Sequence, residues 1–201
     1  MRDIPAWNSP WSFTRVWGLS HPMPPIPNLE TILQRGVSVH EWTAQVDEGG
    51  NVRPPATHEG YCEAYRSACY ALSPSWTHIE QPYDNGEWHG IIDRVGHIKG
   101  HDPLVIADLK TGKGTGKEAQ QRIATQLACY AMGWKPEQYT TVLRVGIYLH
   151  KDGTWHTVVY DDPKDFVRWT QLLQEANNGT QKYSETTVHT DREGGNTGEV
   201  R

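Results

Sequence analysis

With 201 residues, the chain has room for one domain with one substantial core. Its formal charge of −5 runs against a generic nucleic-acid binder, which is basic, although a local Lys/Arg patch or bound divalent cations would override that total. Cys62, Cys69 and Cys129, with no C-x-x-C pair, exclude a disulfide framework or a zinc ribbon, and no apolar run reaches the roughly 20 residues of a membrane span.

The N-terminus carries no apolar h-region, so the expectation is a reduced, soluble, intracellular protein. Residues 1–28 hold Pro5, Pro10, Pro22, Pro24, Pro25 and Pro27 and part of a complement of nine tryptophans. They read as an irregular arm, with tryptophans that either stack bases or pack on the domain. Asn28 is placed to cap a short helix over Leu29–Gln34 that stops at Gly36. A second helix is expected over Val37–Asp47, with His40 in its first turn; alone, that histidine reads as an ordinary half-buried one. After Pro54-Pro55, residues 58–72 place Tyr61, Ala64, Tyr65, Ala68, Cys69 and Leu72 at helical spacing, which is a core stripe.

Ser73-Pro74-Ser75 breaks that helix, and Thr77–Tyr83 reads as a first strand carrying Glu80. Asp84-Asn85-Gly86 is a turn. Gly90-Ile91-Ile92-Asp93-Arg94-Val95-Gly96 and Leu104-Val105-Ile106-Ala107-Asp108-Leu109-Lys110-Thr111-Gly112 are apolar runs bounded by glycine, as buried strands are. The link between them is turn chemistry, so a hairpin would set Asp93 beside Asp108, with Lys110 on the same face as Asp108. Two carboxylates in an apolar hairpin need a partner. Either they hold a hard divalent cation, which takes oxygen ligands, or Asp108 and Lys110 pair as a salt bridge and Asp93 caps a turn. The loop Thr111–Lys117 fails the phosphate-loop pattern, because Glu118 follows Gly116-Lys117 and Thr111 stands where the first glycine belongs.

Glu118–Trp134 is the clearest helix, with Ile123, Leu127, Tyr130, Ala131 and Trp134 as its stripe and Gln126 and Tyr130 sharing a face. Thr140–His150 and Trp155–Tyr160 read as a hairpin around Lys151-Asp152-Gly153, and Asp161-Asp162-Pro163 starts a last amphipathic helix. Residues 29–177 are then the folded part and 178–201 a disordered polar tail. The order of elements implies an α/β (α+β) sandwich with a mixed central sheet flanked by helices.

In this order the motifs resemble the PD-(D/E)XK nuclease superfamily, and within it the RecB-like branch that includes phage exonucleases. The motifs are Arg35-Gly36-x-x-x-His40, Gly90-x-x-Asp93-Arg94-Val95, Asp108-x-Lys110-Thr111-Gly112 and Gln126-x-x-x-Tyr130, over about residues 28–165. The central motif has Asp-x-Lys where other members have Glu-x-Lys. The resemblance implies a restriction-endonuclease-like core over 29–177 and a deoxyribonuclease, expected to be an exonuclease acting in DNA recombination, repair or phage genome processing in the cytoplasm of a bacterium or phage-infected host. It implies that His40, Asp93, Asp108 and the Leu109 carbonyl hold one or two Mg2+ or Mn2+ ions. Lys110 would act with Asp93 and Asp108 in catalysis, orienting or deprotonating a water. Gln126 and Tyr130 would contact DNA or brace the site, and Glu80 is a weaker candidate ligand for a second metal. The remaining histidines, His58, His89, His97 and His101, read as structural or surface residues. No iron–sulfur cluster and no nucleotide are expected, since neither a four-cysteine set nor a nucleotide loop is present. DNA, single- or double-stranded, is the implied partner; a repair partner protein and homo-oligomerisation are compatible with the same reading. The rival readings are a catalytically silent nuclease-fold module that binds DNA or protein, and a structural protein with an accidental Asp/Lys pair.

Overall fold

The computed structural model describes residues 6–22, 25–112 and 114–190. Its elements are β1 (Trp11–Ser12), α1 (Phe13–Ser20), α2 (Leu29–Asp47), α3 (Glu59–Leu72), β2 (Ser75–Asp84), β3 (Trp88–His97), β4 (Val105–Thr111), α4 (Lys117–Trp134), β5 (Leu143–Leu149), β6 (Trp155–Val159) and α5 (Lys164–Thr190). The strands form one mixed sheet in the order β1-β3-β4-β5-β6, with β2 on the other edge of β3. β2–β3, β3–β4 and β5–β6 are antiparallel, and β1–β3 and β4–β5 are parallel. This is the mixed α/β architecture that the sequence implies.

Helices cover both faces of the sheet, which is why β4 and β5 are almost continuously buried. On one face, Val105, Ala107, Leu109, Val145, Ile147 and Leu149 pack with Val39 and Trp42 of α2 and Tyr61, Ala64, Tyr65 and Ala68 of α3. On the other, Ile92, Ile106 and Tyr148 pack with Leu127, Tyr130 and Ala131 of α4 and Trp169, Leu172 and Leu173 of α5. Pro82 falls on β2, whose outer edge needs no N–H from it.

Three expectations differ from what is found. The segment before residue 28 is not irregular throughout: Ser12 Oγ accepts from Arg15 N and starts α1. Trp11, Phe13, Val16 and Trp17 are buried against α5, where the Trp11 indole donates to Asn177 Oδ1 at 2.6 Å. These tryptophans therefore pack rather than offer faces to a ligand. Residues 1–5 of that arm lie outside the described residues.

Gly36 does not stop a helix. Leu29–Asp47 is one helix, and a glycine in a helix interior costs only about 1 kcal/mol, less than the packing of Val39, Trp42, Thr43 and Ala44 supplies. Asn28 precedes it in the left-handed conformation (φ 58) without a side-chain cap, and His40 sits mid-helix. Finally, α5 runs on to Thr190 rather than giving way to an unstructured tail at residue 178; residues 191–201 lie outside the described residues.

Candidate functional site

β3 changes partner along one edge. It pairs with β1 at Trp88 and His89 and with β4 from Arg94 to Gly96, since β2 occupies its other edge. Asp93 stands where β3 and β4 part. The backbone of Leu109 faces that gap: its N–H donates to Asp93 Oδ2 at 2.7 Å, and its carbonyl lies 3.0 Å from His40 Nε2. The hairpin thus places Asp93 beside the Asp108–Lys110 segment, as the spacing predicts.

His40 Nδ1 lies 3.7 Å from both Glu80 Oε1 and Asp93 Oδ2. Among the described residues, His40, Glu80 and Asp93 form a group whose ligand atoms all fall within 4.8 Å of one another. Glu80 enters it through an unusual backbone. It is a non-glycine residue at φ 47 in mid-strand, strain that persists only where its surroundings enforce it. The Glu80 carboxylate meets Arg94, whose side chain is fully buried. Its guanidinium donates to Glu80 Oε1 at 3.0 Å, Asp47 Oδ2 at 2.5 Å, Thr43 Oγ1 at 2.9 Å and the Asp93 carbonyl at 2.7 Å. Tyr65 also donates to Asp47 Oδ2. Neither Asp47 nor Thr43 was singled out by the sequence. The available signal was Arg94 itself, a charge in an apolar strand that must find acceptors.

Asp108 lies beside this group rather than in it, and is 1 % exposed. Its Oδ2 is 2.6 Å from Lys110 Nζ, yet that oxygen makes no aligned hydrogen bond. Burial pushes the Asp108 carboxyl up to about 6, while the Lys110 charge pulls it back. Burial would lower the Lys110 ammonium, but Asp108 and then Asp93 outweigh it and hold the group above its ordinary value, so it is charged. Lys110 Nζ also donates to Gln126 Oε1 at 3.3 Å, and Gln126 Nε2 donates to Tyr130 Oη at 2.7 Å. The shared face of α4 is therefore real, and it braces the lysine. For His40, burial acts downward, but Asp93, Glu80 and Asp108 together raise it to about 9.

The converging donors are two carboxylates and one imidazole, with the Leu109 carbonyl on the other ring nitrogen of His40 and the buried Asp108 carboxylate, one oxygen of which lacks an aligned hydrogen bond, alongside. That set fits a hard divalent cation; without one, the charge is balanced by the His40 proton, Lys110 and Arg94. His40, Glu80, Leu109 and Lys110 open onto a cleft of about 1060 Å³ that Arg35 of α2 and Arg122 and Gln126 of α4 also line. No helix among the described residues is long and apolar enough to cross a membrane.

The chain is similar to a solved structure, that of SSO0001, at 12 % identity with a TM-score of 0.36, over 81 % of this chain and 82 % of that one. No curated protein matches it. The family model of the PD-(D/E)XK nuclease superfamily matches residues 74–193, a span that holds Glu80, Asp93, Asp108, Lys110, Gln126 and Tyr130 but not His40. That span is more than half the chain, and it ends the matter of kinship: the chain belongs to the PD-(D/E)XK nuclease superfamily.

Proposed function

We propose that the protein is a divalent-metal-dependent deoxyribonuclease, exonucleolytic in mode, acting in DNA recombination, repair or phage genome processing. The observation that carries the reading is the convergence of His40, Glu80 and Asp93 on one point beside the Asp108–Lys110 pair. The exonucleolytic mode and the biological setting rest on the resemblance of the motif order to RecB-like nucleases.

His40, Glu80, Asp93, Asp108 and the Leu109 carbonyl would hold Mg2+ or Mn2+. Such an ion, when bound, polarises the scissile phosphate and lowers the pKa of a bound water. Lys110, held charged by Asp108, stabilises the negative charge that builds on the phosphate oxygens. It is placed to orient or deprotonate the attacking water. Gln126 fixes Lys110 through its amide oxygen and is itself fixed through Tyr130. Arg94 holds Glu80 and the Asp93 backbone in place, and so acts as a positioning residue.

The test is digestion of end-labelled linear and covalently closed circular DNA, single- and double-stranded, with Mg2+, Mn2+ or EDTA. Metal-dependent loss of linear DNA alone supports the reading; cutting of closed circles makes the protein an endonuclease. Lys110→Ala should reduce the rate by about 10²–10³-fold with metal binding retained, and Asp93→Ala should lose both. Absence of cleavage with either metal would sink the proposal in favour of a silent binding module.

A further inference from the structure

α2 turns an apolar stripe to solvent. Leu29, Ile32, Leu33 and Val37 recur at helical spacing and are 38, 37, 59 and 56 % exposed. The helix has already buried another set, Val39, Trp42 and Ala44, against α3 and the sheet. The stripe is thus a second apolar surface with nothing of this chain's described residues covering it. Exposed patches of this kind mark binding sites more often than chance.

Its position says what covers it. Ile32, Leu33 and Val37 line the same cleft as Lys110, Arg122 and Gln126. Arg35 lies between them on α2, with its guanidinium fixed to β4 by the Thr111 carbonyl at 2.8 Å and Thr111 Oγ1 at 3.3 Å. The cleft therefore has aliphatic side chains and cations within one enclosure. A DNA duplex presents phosphates on its outside and keeps the base faces stacked within, so it offers the aliphatic side chains little to touch. An unpaired strand carries a charged edge and apolar base faces together. A globular partner seated on Ile32, Leu33 and Val37 would instead close the cleft over Lys110.

We infer that the exposed stripe of α2 is the base-binding wall of a single-strand channel. Ile32, Leu33 and Val37 take up the nucleobases of an unpaired strand, and Arg35 and Arg122 hold its phosphates. The substrate is then a single strand or the frayed end of a duplex. The inference rests on the nuclease reading above and names the substrate class of that site.

Fluorescence anisotropy in EDTA, which prevents cleavage, tests it with three labelled probes: single-stranded DNA, an abasic strand of the same length, and a blunt hairpin duplex. The wild type should bind the base-bearing strand about tenfold more tightly than the other two. Leu33→Ser/Val37→Ser should erase that preference while abasic binding stays unchanged. The single variant Leu33→Gln repeats the measurement if the double variant melts early. Equal affinity for abasic and base-bearing strands, a preference for blunt duplex, or wild-type behaviour of the variants would overturn the inference. So would a change in molar mass by light scattering with DNA binding unaltered, which would make the stripe a self-association surface. Metal-dependent cleavage together with any of these results leaves the nuclease reading standing; no binding and no cleavage of any nucleic acid removes both.

Discussion

His40 carries a proton at neutral pH because the carboxylates of Asp93, Glu80 and Asp108 outweigh its burial, holding it near 9. To ligate a cation it must give that proton up, so metal affinity should rise with pH toward 9. Calorimetry of Mn2+ binding at pH 7 in two buffers of different ionisation enthalpy should show proton release, and His40→Gln should release fewer protons. The same shift makes a stability prediction for the metal-free protein. The folded value is above the unfolded value of 6.5, so the stabilisation is complete below pH 6.5 and is lost as pH rises through about 9. Urea denaturation in EDTA should show a loss of order 1–3 kcal/mol between pH 6.5 and 9.5. Equal slopes for the wild type and His40→Gln over that window would refute the assignment.

For the elements, the informative contrast is between two glycines. Gly36 lies inside α2, and a methyl group there would meet nothing within 4 Å. Gly36→Ala should therefore stabilise the protein by about 0.5–1 kcal/mol through helix propensity, read as a raised Tm. Gly96 on β3 is the opposite case: a Cβ there would sit 2.2 Å from the Ser75 carbonyl oxygen and 2.7 Å from Trp76 Cα, both backbone atoms of β2. Gly96→Ala should part the two strands and cost about 3 kcal/mol or more. Because β2 also carries Glu80, that variant should weaken metal binding as well, which titration with Mn2+ would register.

The molecule as a whole is closed by its N-terminal segment. Trp11, Phe13, Val16 and Trp17 are each 6 % exposed or less and join α5 and α4 to the end of β3. At about 1.5–3 kcal/mol per large apolar side chain buried, their removal approaches the total stability of an ordinary domain. A chain beginning at His21 should fail to fold cooperatively. Its tryptophan emission should shift to the red as Trp88 and Trp169 meet water. Retention of a sharp thermal transition by the truncated chain would show that the segment is an accessory.

Much of the site is legible in local pattern. Two apolar runs carrying Asp93 and Asp108 imply a hairpin, strand periodicity puts Lys110 on the face of Asp108, and helical spacing puts Gln126 with Tyr130; the 2.6 Å Asp108–Lys110 and 2.7 Å Gln126–Tyr130 contacts follow from those periods. What the pattern leaves out depends on contacts between distant parts of the chain. Glu80 reaches His40 and Asp93 from a left-handed backbone at φ 47, with its carboxylate bonded to Arg94. α2 continues through Gly36 because its far half packs on α3 and the sheet, and a proline-rich start becomes core because α5 is there to receive Trp11. Periodicity and turn chemistry act over a few residues, so the sequence by itself determined the strands, the face that Asp108 and Lys110 share, and the bracing helix. Desolvation and packing act between segments up to 166 residues apart, as between Trp11 and Asn177, so only the tertiary structure decided which carboxylates meet, what buries the N-terminal segment, and which helix face is left open to the cleft.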